Sequence, residues 1–132
     1  MSFCFSKSVK LPLEAAANSI AAIIERHGMS VVSDIDVNAT LRQRLGLDLA
    51  GYRILSACHR GLARGALRPD GTRQPMLHLK AVISEREDGR VQITVSGGLN
   101  AGGHQSGVVS VADAAEALLR EIFSESKLAA AA

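Results

Sequence analysis

The sequence predicts an α+β fold, a two-layer sandwich in which a mostly antiparallel sheet of about four strands is covered on one face by two longer helices. Two segments have the apolar spacing of amphipathic helices, and strand-like segments lie between them. Both helices must cover an apolar surface, so one sheet face is expected to receive them. A length of 132 residues is typical of one domain, and residues 1–132 are predicted to form a single one.

The first helix is predicted over residues 12–27. Pro12 suits the first helical position, and Gly28 suits the left-handed residue just past the end. The apolar residues recur at intervals of three and four, the spacing of one helix face: Leu13, Ala16, Ala17, Ile20, Ile23 and Ile24. A strand is expected next, because apolar residues fall at even spacing at Met29, Val31, Ile35 and Val37.

The middle of the chain predicts a short helix and an inner strand. Asp36 or Asn38 can cap a helix that continues through Leu45 and ends at Gly46. Residues 52–58 are apolar enough on both faces for an inner strand. Two smaller features are expected after it, a short helix from Gly61 and a turn at residues 68–72.

The second half of the chain predicts an antiparallel hairpin. Residues 76–84 and 90–96 are strand-like, and Asp88-Gly89 between them is a strong hairpin-turn signal. Residues 97–107 contain five glycines and match neither the P-loop nor the dinucleotide-binding pattern. They are therefore interpreted as a flexible connection.

A last helix is predicted over residues 110–126. Ser110 and Asp113 have the spacing of a capping box. The expected buried stripe comprises Val111, Ala115, Leu118 and Ile122. Residues 127–132 are expected to form a disordered tail.

The composition limits the classes of function. Fifteen basic and thirteen acidic residues leave a net charge of +2, and aromatic residues make up only 3% of the chain. Five arginines form a cluster that could attract anions: Arg53, Arg60, Arg64, Arg68 and Arg73. Because no aromatic side chains alternate with them to stack on bases, the cluster is interpreted as a solvated face and not as a nucleic-acid site.

Neither a secreted nor a membrane protein is indicated. Cys4 and Cys58 are too few for a disulfide framework, so reduced thiols and a cytoplasmic location are expected. No apolar run approaches the ~20 residues of a membrane span. The apolar stretch 11–24 is interrupted by Glu14 and Asn18, so it is interpreted as part of the domain and not as a secretory signal.

A motif of specific spacing runs through residues 28–63. Ile35-Asp36-Val37 is followed two residues later by Thr40-Leu41, and a later strand ends in Ala57-Cys58. This combination closely resembles the family called domain of unknown function 302, DUF302. The resemblance implies a small two-layer α/β fold that is often found as a homodimer, and it brings no established activity.

Two positions depart from the pattern usual in that family. His59 and Arg60 stand where relatives usually carry Asn and Pro after the cysteine. His78, Leu79 and Lys80 stand where relatives tend to carry Pro-Cys-Asn. If relatives use a two-thiol site, this chain lacks half of it.

The candidate ligand-binding residues are Cys58, His59, Arg60 and His78. Cys58 is predicted at a strand end shortly before a helix, where backbone N–H groups and the helix dipole favour a thiolate. The alternative is that Cys58 packs in the core as a small apolar residue. Adjacent residues of a strand point to opposite faces, so His78 is a better partner for Cys58 than His59 is.

Other polar residues carry weaker signals. Asp34 and Asp36 fall on one face of a strand without a third acid, so Asp36 is interpreted as a helix cap and Asp34 as a solvent residue. A soft-metal site is conceivable, but its residues lack a recognised metal spacing, so no metal or cofactor is assigned. The residues considered are Cys58, His78, His59 and His104.

Two classes of function follow. The first is a homodimeric binding or accessory module, without catalysis, that holds a small anionic or hydrophobic ligand near Cys58, His59 and the face carrying Arg53 and Arg64. The second is a thiol-dependent or metal-dependent activity of Cys58 with His78 or His59, for which the sequence offers no third member.

Overall fold

The computed structural model of the protein describes residues 2–59, 76–100 and 116–124. Five strands and three helical segments lie within these ranges. They are β1 (Ser2–Val9), α1 (Leu13–Arg26), β2 (Met29–Asp36), α2 (Val37–Leu45), β3 (Tyr52–His59), β4 (Met76–Glu85), β5 (Val91–Asn100) and a helical segment at residues 116–122, labelled α3.

The strands form one antiparallel sheet in the order β1-β5-β4-β3-β2. The α+β class is confirmed, but the expectation of about four strands is wrong by one. The missed strand is β1, which pairs with β5 from Ser2 opposite Gly98 to Val9 opposite Val91. Its apolar residues Phe3, Phe5 and Val9 do alternate with polar ones, but Lys7 interrupts the apolar face and the partner strand lies far away in sequence.

α1 and the described segment of α3 cover one face of the sheet, as predicted for the two longer helices. The apolar stripe of α1 and the α3 residues Leu118 and Ile122 are buried in one core. That core also takes the odd-numbered residues of the inner strands: Leu55, Ala57, Leu79, Ala81, Ile83, Val91, Ile93 and Val95. At the end of α1, Arg26 and His27 contact Glu121 of α3 at 3.3 and 2.8 Å.

The capping and turn signals are confirmed at three places. The Ala39 amide donates to Asp36 Oδ1 at 3.0 Å, so Asp36 caps α2. Gly46 ends that helix with a left-handed φ of 67°. In the β4–β5 hairpin, Gly89 has a φ of 82° and the Arg90 amide donates to Asp88 Oδ1 at 3.0 Å. Each position has the local chemistry that its backbone geometry requires.

The glycine-rich segment begins differently from the prediction. Gly97–Asn100 are the last residues of β5, where Asn100 lies opposite Met76 of β4, and are not part of a connection. The other predicted features fall outside the described residues. These are the short helix from Gly61, the turn at 68–72, residues 101–107, the helix start at Ser110 with Asp113, and the tail 127–132. Across the described ranges, none of the helices combines the length and apolar character needed to cross a membrane.

Candidate functional site

The face of the sheet opposite α1 and α3 carries the even-numbered residues of β3, β4 and β5. Strand register aligns them in rows that run across the sheet. One row contains Ser30, Cys58, His78 and Gly98, and the next contains Ser33, Ser56, Lys80, Ser96 and Cys4. We call this surface the open face, and α2 flanks it only at the end that carries Tyr52 and Ser84.

Cys58 and His78 are directly opposite each other on β3 and β4. Residues paired in this way on antiparallel strands project to the same face, with Cβ atoms about 5 Å apart. Cys58 is half-buried and His78 is exposed. The structure therefore brings together Cys58 and His78, the pair that strand geometry favours over Cys58 and His59. It places the Cys58 thiol on the open face and not in the core.

A shallow depression of about 510 Å³ surrounds this pair. Its walls come from five described segments of the sheet, and it is lined by Phe3, Val32, Ser56, Ala57, Cys58, His78, Leu79, Lys80, Ser96 and Gly97. Lys80 and His78 are the residues in this lining that can carry positive charge, and the lining includes no carboxylate. The depression therefore suits an anion or a neutral group better than a cation.

Lys80 and His78 make no ion pair with any residue in the part of the chain that the structure describes. Lys80 lies between Ser56 and Ser96 in its row, so a serine is its cross-strand neighbour on both sides. Hydroxyls can donate to or accept from a ligand as needed. The row could thus contribute donors around one bound anionic group.

Gly97 lets an aromatic ring approach the strand closely beside this depression. A Cβ atom on Gly97 would lie 2.5 Å from the His78 carbonyl oxygen and 2.8 Å from Phe3 Cζ. Both distances are shorter than van der Waals contact allows. Because Gly97 has no side chain, the Phe3 ring can lie directly against β5.

Arg53 does not belong to the site with Cys58, which corrects the expectation of a shared basic face. Its guanidinium group binds Asp34 through two hydrogen bonds of 2.9 and 2.5 Å, and Glu14 of α1 through one of 2.8 Å. The Arg53 side chain is only 12% exposed. Asp34, predicted to be a solvent residue, is thus a partner of Arg53.

The charged groups around Arg53 hold elements of the fold together. Its pKa is raised, first because Asp34 accepts its hydrogen bonds, and further because of Glu14, while burial opposes the rise. The guanidinium group joins β3, β2 and α1, and its charge is already matched by two carboxylates. It therefore offers little to an external anion.

Several of the predicted site residues are not placed by the structure. His59 is the last residue of β3, but its side chain lies outside the described part, as do Arg60, Arg64 and His104. Within the described residues, no three His, Cys, Asp or Glu side chains cluster as metal ligands would. Cys58 and His78 alone are two ligands, fewer than the three or four of protein zinc sites.

Lys80, Ser56 and Ser96 are the site residues that sequence reasoning missed. The turn signal at Asp88-Gly89 contains enough information to find one of these contacts, because a tight hairpin fixes its register and places Lys80 opposite Ser96. β3 ends at His59 and β4 begins at Met76, and the long stretch of sequence between them does not fix a register. The position of Ser56 opposite Lys80 could therefore not be obtained from local sequence.

The match to known proteins agrees with the fold. Residues 5–126 match the family described as Domain of unknown function DUF302. The chain belongs to the DUF302 family. The resemblance noted in residues 28–63 is thereby confirmed and extends over nearly the whole sequence. No curated protein matches the chain.

A solved DUF302 structure shows the same architecture. It is an uncharacterized conserved protein from Bacillus stearothermophilus, similar to this chain with a TM-score of 0.54 and 18% sequence identity. The similarity covers 98% of this chain and 94% of that one. At this identity the likeness establishes the fold alone, so any chemistry of this DUF302 chain must be argued from its own residues.

Proposed function

We propose that this DUF302 chain is a small binding module that holds an organic anion on its open face. The observation that carries the proposal is the depression that contains Lys80, His78 and Cys58 and no carboxylate. Lys80 supplies a positive charge at neutral pH, and the His78 ring can donate a hydrogen bond in either protonation state. No covalent step is required of these groups.

The lining also indicates what the rest of the ligand is. Val32 provides apolar surface for contact, since its side chain is 63% exposed, and Phe3, which packs partly against the core, lines the depression as well. Ligand sites in proteins commonly combine such walls with a few polar groups that orient the ligand. The proposed ligand class is therefore a small carboxylate with an apolar or aromatic body.

Benzoate and its neutral analogue benzamide can test the proposal. We expect benzoate to shift the NMR amide resonances of residues 56–58, 78–80 and 96–97 in a saturable way, and benzamide to bind more weakly at equal ionic strength. Lys80→Gln should weaken benzoate binding by about threefold to fivefold, because a partly exposed charge pair contributes up to about 1 kcal/mol. The measurement is the dissociation constant from the shift titration.

Arg44→Gln is the matched control for Lys80→Gln. Arg44 is an exposed cation on α2 and does not line the depression, so its loss should leave the benzoate affinity unchanged. If Lys80→Gln and Arg44→Gln weaken binding equally, benzoate responds only to net charge. That result would reject the site at Lys80.

A thiol-dependent activity is the second candidate, favoured by the direct pairing of Cys58 with His78. The binding module predicts that Cys58→Ser keeps the benzoate affinity within about twofold, because serine preserves a small polar side chain. It also predicts that His78→Gln leaves the rate of Cys58 alkylation by iodoacetamide nearly unchanged. A large fall in that rate would show His78 activating the thiol, and would support the thiol-dependent activity instead.

We also propose that the protein is a homodimer whose two open faces meet. A row next to Lys80 is apolar at Ile35, Ile54 and Val82, and Ile35 is 46% exposed. A second copy placed over this row would bury it and enclose the depression.

A cytoplasmic location is consistent with Cys4 and Cys58, which are both free.

A further inference from the structure

A second cleft, of about 420 Å³, lies between α2 and the end of the open face that is remote from Cys58. Its walls are mostly aliphatic. It is lined by Val37, Asn38, Leu41, Leu49, Ala50, Gly51, Tyr52, Ser84 and Glu85. The cleft therefore offers apolar surface that α2 partly encloses.

The carboxylate of Glu85 points away from this cleft. Glu85 alternates with Ala81 and Ile83 on the buried side of β4, so its side chain leaves the sheet on the side of α1. A Cβ atom on Gly51 would lie 2.7 Å from Glu85 Oε1 and 2.6 Å from Leu13 Cδ2, which places the carboxylate beside α1. The described residues thus present no charged side chain to the cleft, and a charged ligand group would lose its hydration there without a partner.

Two hydrogen bonds hold the segment that follows α2 in place around the cleft. The Leu49 amide donates to Asn38 Oδ1 at 3.0 Å, which ties the segment to α2. The Glu85 amide donates to the Gly51 carbonyl oxygen at 3.0 Å, which ties the segment to β4. The apolar wall that includes Leu49 is therefore carried by fixed backbone.

An apolar row connects this cleft to the depression at Lys80. Along β4 the open face presents Lys80, then Val82 and then Ser84. Ile54 of β3 lies opposite Val82, and both side chains are half-buried. Lys80 and Ser84 are separated by about 14 Å in an extended strand. The open face thus has a positive charge at one end of an apolar track and an uncharged cleft at the other end.

We infer that the ligand of the open face is an aliphatic carboxylate of about ten carbons, since an extended alkyl chain advances by roughly 1.3 Å per carbon and must cover the distance from Lys80 to Ser84. Its carboxylate lies beside Lys80. Its chain runs over Ile54 and Val82 and ends in the cleft against Leu49. This inference rests on the proposed anion site and narrows the class of ligand.

The proposed dimer would bury the same row, so the alkyl chain and a second copy are alternative occupants of Ile54 and Val82. Decanoate at saturating concentration should therefore lower the fraction of dimer in sedimentation equilibrium more than benzoate does, because benzoate is too short to cover the row. A dimer through the open face that persists unchanged in decanoate would contradict this position of the chain.

The dependence of affinity on chain length tests the inference directly. Hexanoate reaches only the apolar row, whereas decanoate also reaches the cleft. A fully buried methylene gains about fourfold in affinity and a half-exposed one about twofold, so decanoate should bind roughly tenfold more tightly than hexanoate. In NMR titrations both should shift the amide resonances of residues 78–80, and decanoate alone should shift those of residues 37–41 and 49–52.

Leu49→Ser tests the cleft, and Leu47→Ser is its matched control. Both leucines follow α2 and are similarly exposed, at 52% and 48%, but Leu47 does not line the cleft. Leu49→Ser should weaken decanoate by about threefold to fivefold and leave hexanoate and benzoate unchanged, because the end of the chain loses apolar contact. Leu47→Ser should leave all three affinities unchanged. Lys80→Gln should weaken decanoate as it weakens benzoate, by about threefold to fivefold.

The outcomes separate this inference from the anion site on which it rests. If benzoate binds at Lys80 but decanoate binds no more tightly than hexanoate, the inference is wrong and the anion site stands. Equal weakening by Leu49→Ser and Leu47→Ser would also overturn the inference, because decanoate would then adsorb to any exposed leucine. If benzoate does not bind, the anion site fails as proposed. Decanoate binding that still depends on Lys80 and Leu49 would then support the longer ligand, and loss of either dependence would refute it.

Discussion

Gly97→Val is expected to lower the free energy of unfolding by about 3 kcal/mol, the upper end of the usual cost of overpacking. Valine favours strands over glycine, so propensity alone would predict stabilisation. The steric contacts decide whether valine raises or lowers the free energy of unfolding. A Cβ at this position would lie 2.5 Å from the backbone oxygen of His78, which cannot move without disturbing the β4–β5 pairing. Urea denaturation monitored by circular dichroism would measure the loss.

Ser96→Val separates the steric effect from the change in strand propensity. Ser96 is the preceding residue of β5 and belongs to the open face. Valine there should change stability by no more than about 0.5 kcal/mol, as is usual for substitutions at partly exposed positions. If Gly97→Val proved as stable as wild type, the close approach of Phe3 and His78 to Gly97 would not exist in solution.

The elements that the sequence predicts correctly are those fixed by interactions between residues close together in the chain. α1 and α2 were predicted almost to the residue, because caps such as Asp36 and stops such as Gly46 act within one turn of helix. β1 was missed because Lys7 interrupts its apolar face and because β5, its strand partner among the described residues, lies some ninety residues away. The alternation of Phe3, Phe5 and Val9 with serines indicates a strand, but it does not show which strand pairs with it.

The contacts of the charged residues also depend on residues that are distant in sequence. Arg53 was grouped with other arginines by sequence proximity, but its partners are Asp34 on the neighbouring strand and Glu14 on α1. Lys80 was noted only as a departure from the family pattern and not as a site residue, although it is a charged residue of the depression. Strand register and helix packing decide whether a charged residue faces a carboxylate or a ligand site. Both depend on residues that are distant in sequence.

The open face has two chemically different ends, and this division supports its use for binding. Lys80 and His78 mark one end, and Tyr52 and Ser84 mark the other. Between them lies the apolar row of Ile54 and Val82. This central apolar row is suited to contact with a second copy, because symmetric association would bury it in both protomers.

Val82→Lys is therefore expected to dissociate the proposed homodimer. Val82 lies on the inner strand β4 between Ile54 and Thr94, at the centre of the open face. In a symmetric dimer the substitution enters the interface twice, and each unpaired buried ammonium group costs several kcal/mol. The dimer dissociation constant should rise by at least about a hundredfold, equivalent to about 2.7 kcal/mol.

Sedimentation equilibrium at tens of micromolar protein would measure this effect, since an interface of ordinary size should persist at that concentration. Wild type is expected to sediment as a dimer and Val82→Lys as a monomer with unchanged circular dichroism. Asn18→Lys adds the same charge at an exposed position of α1, on the other layer, and should remain dimeric. A monomeric wild type would refute the dimer, whereas a dimer that tolerates Val82→Lys would place its interface elsewhere than on the open face.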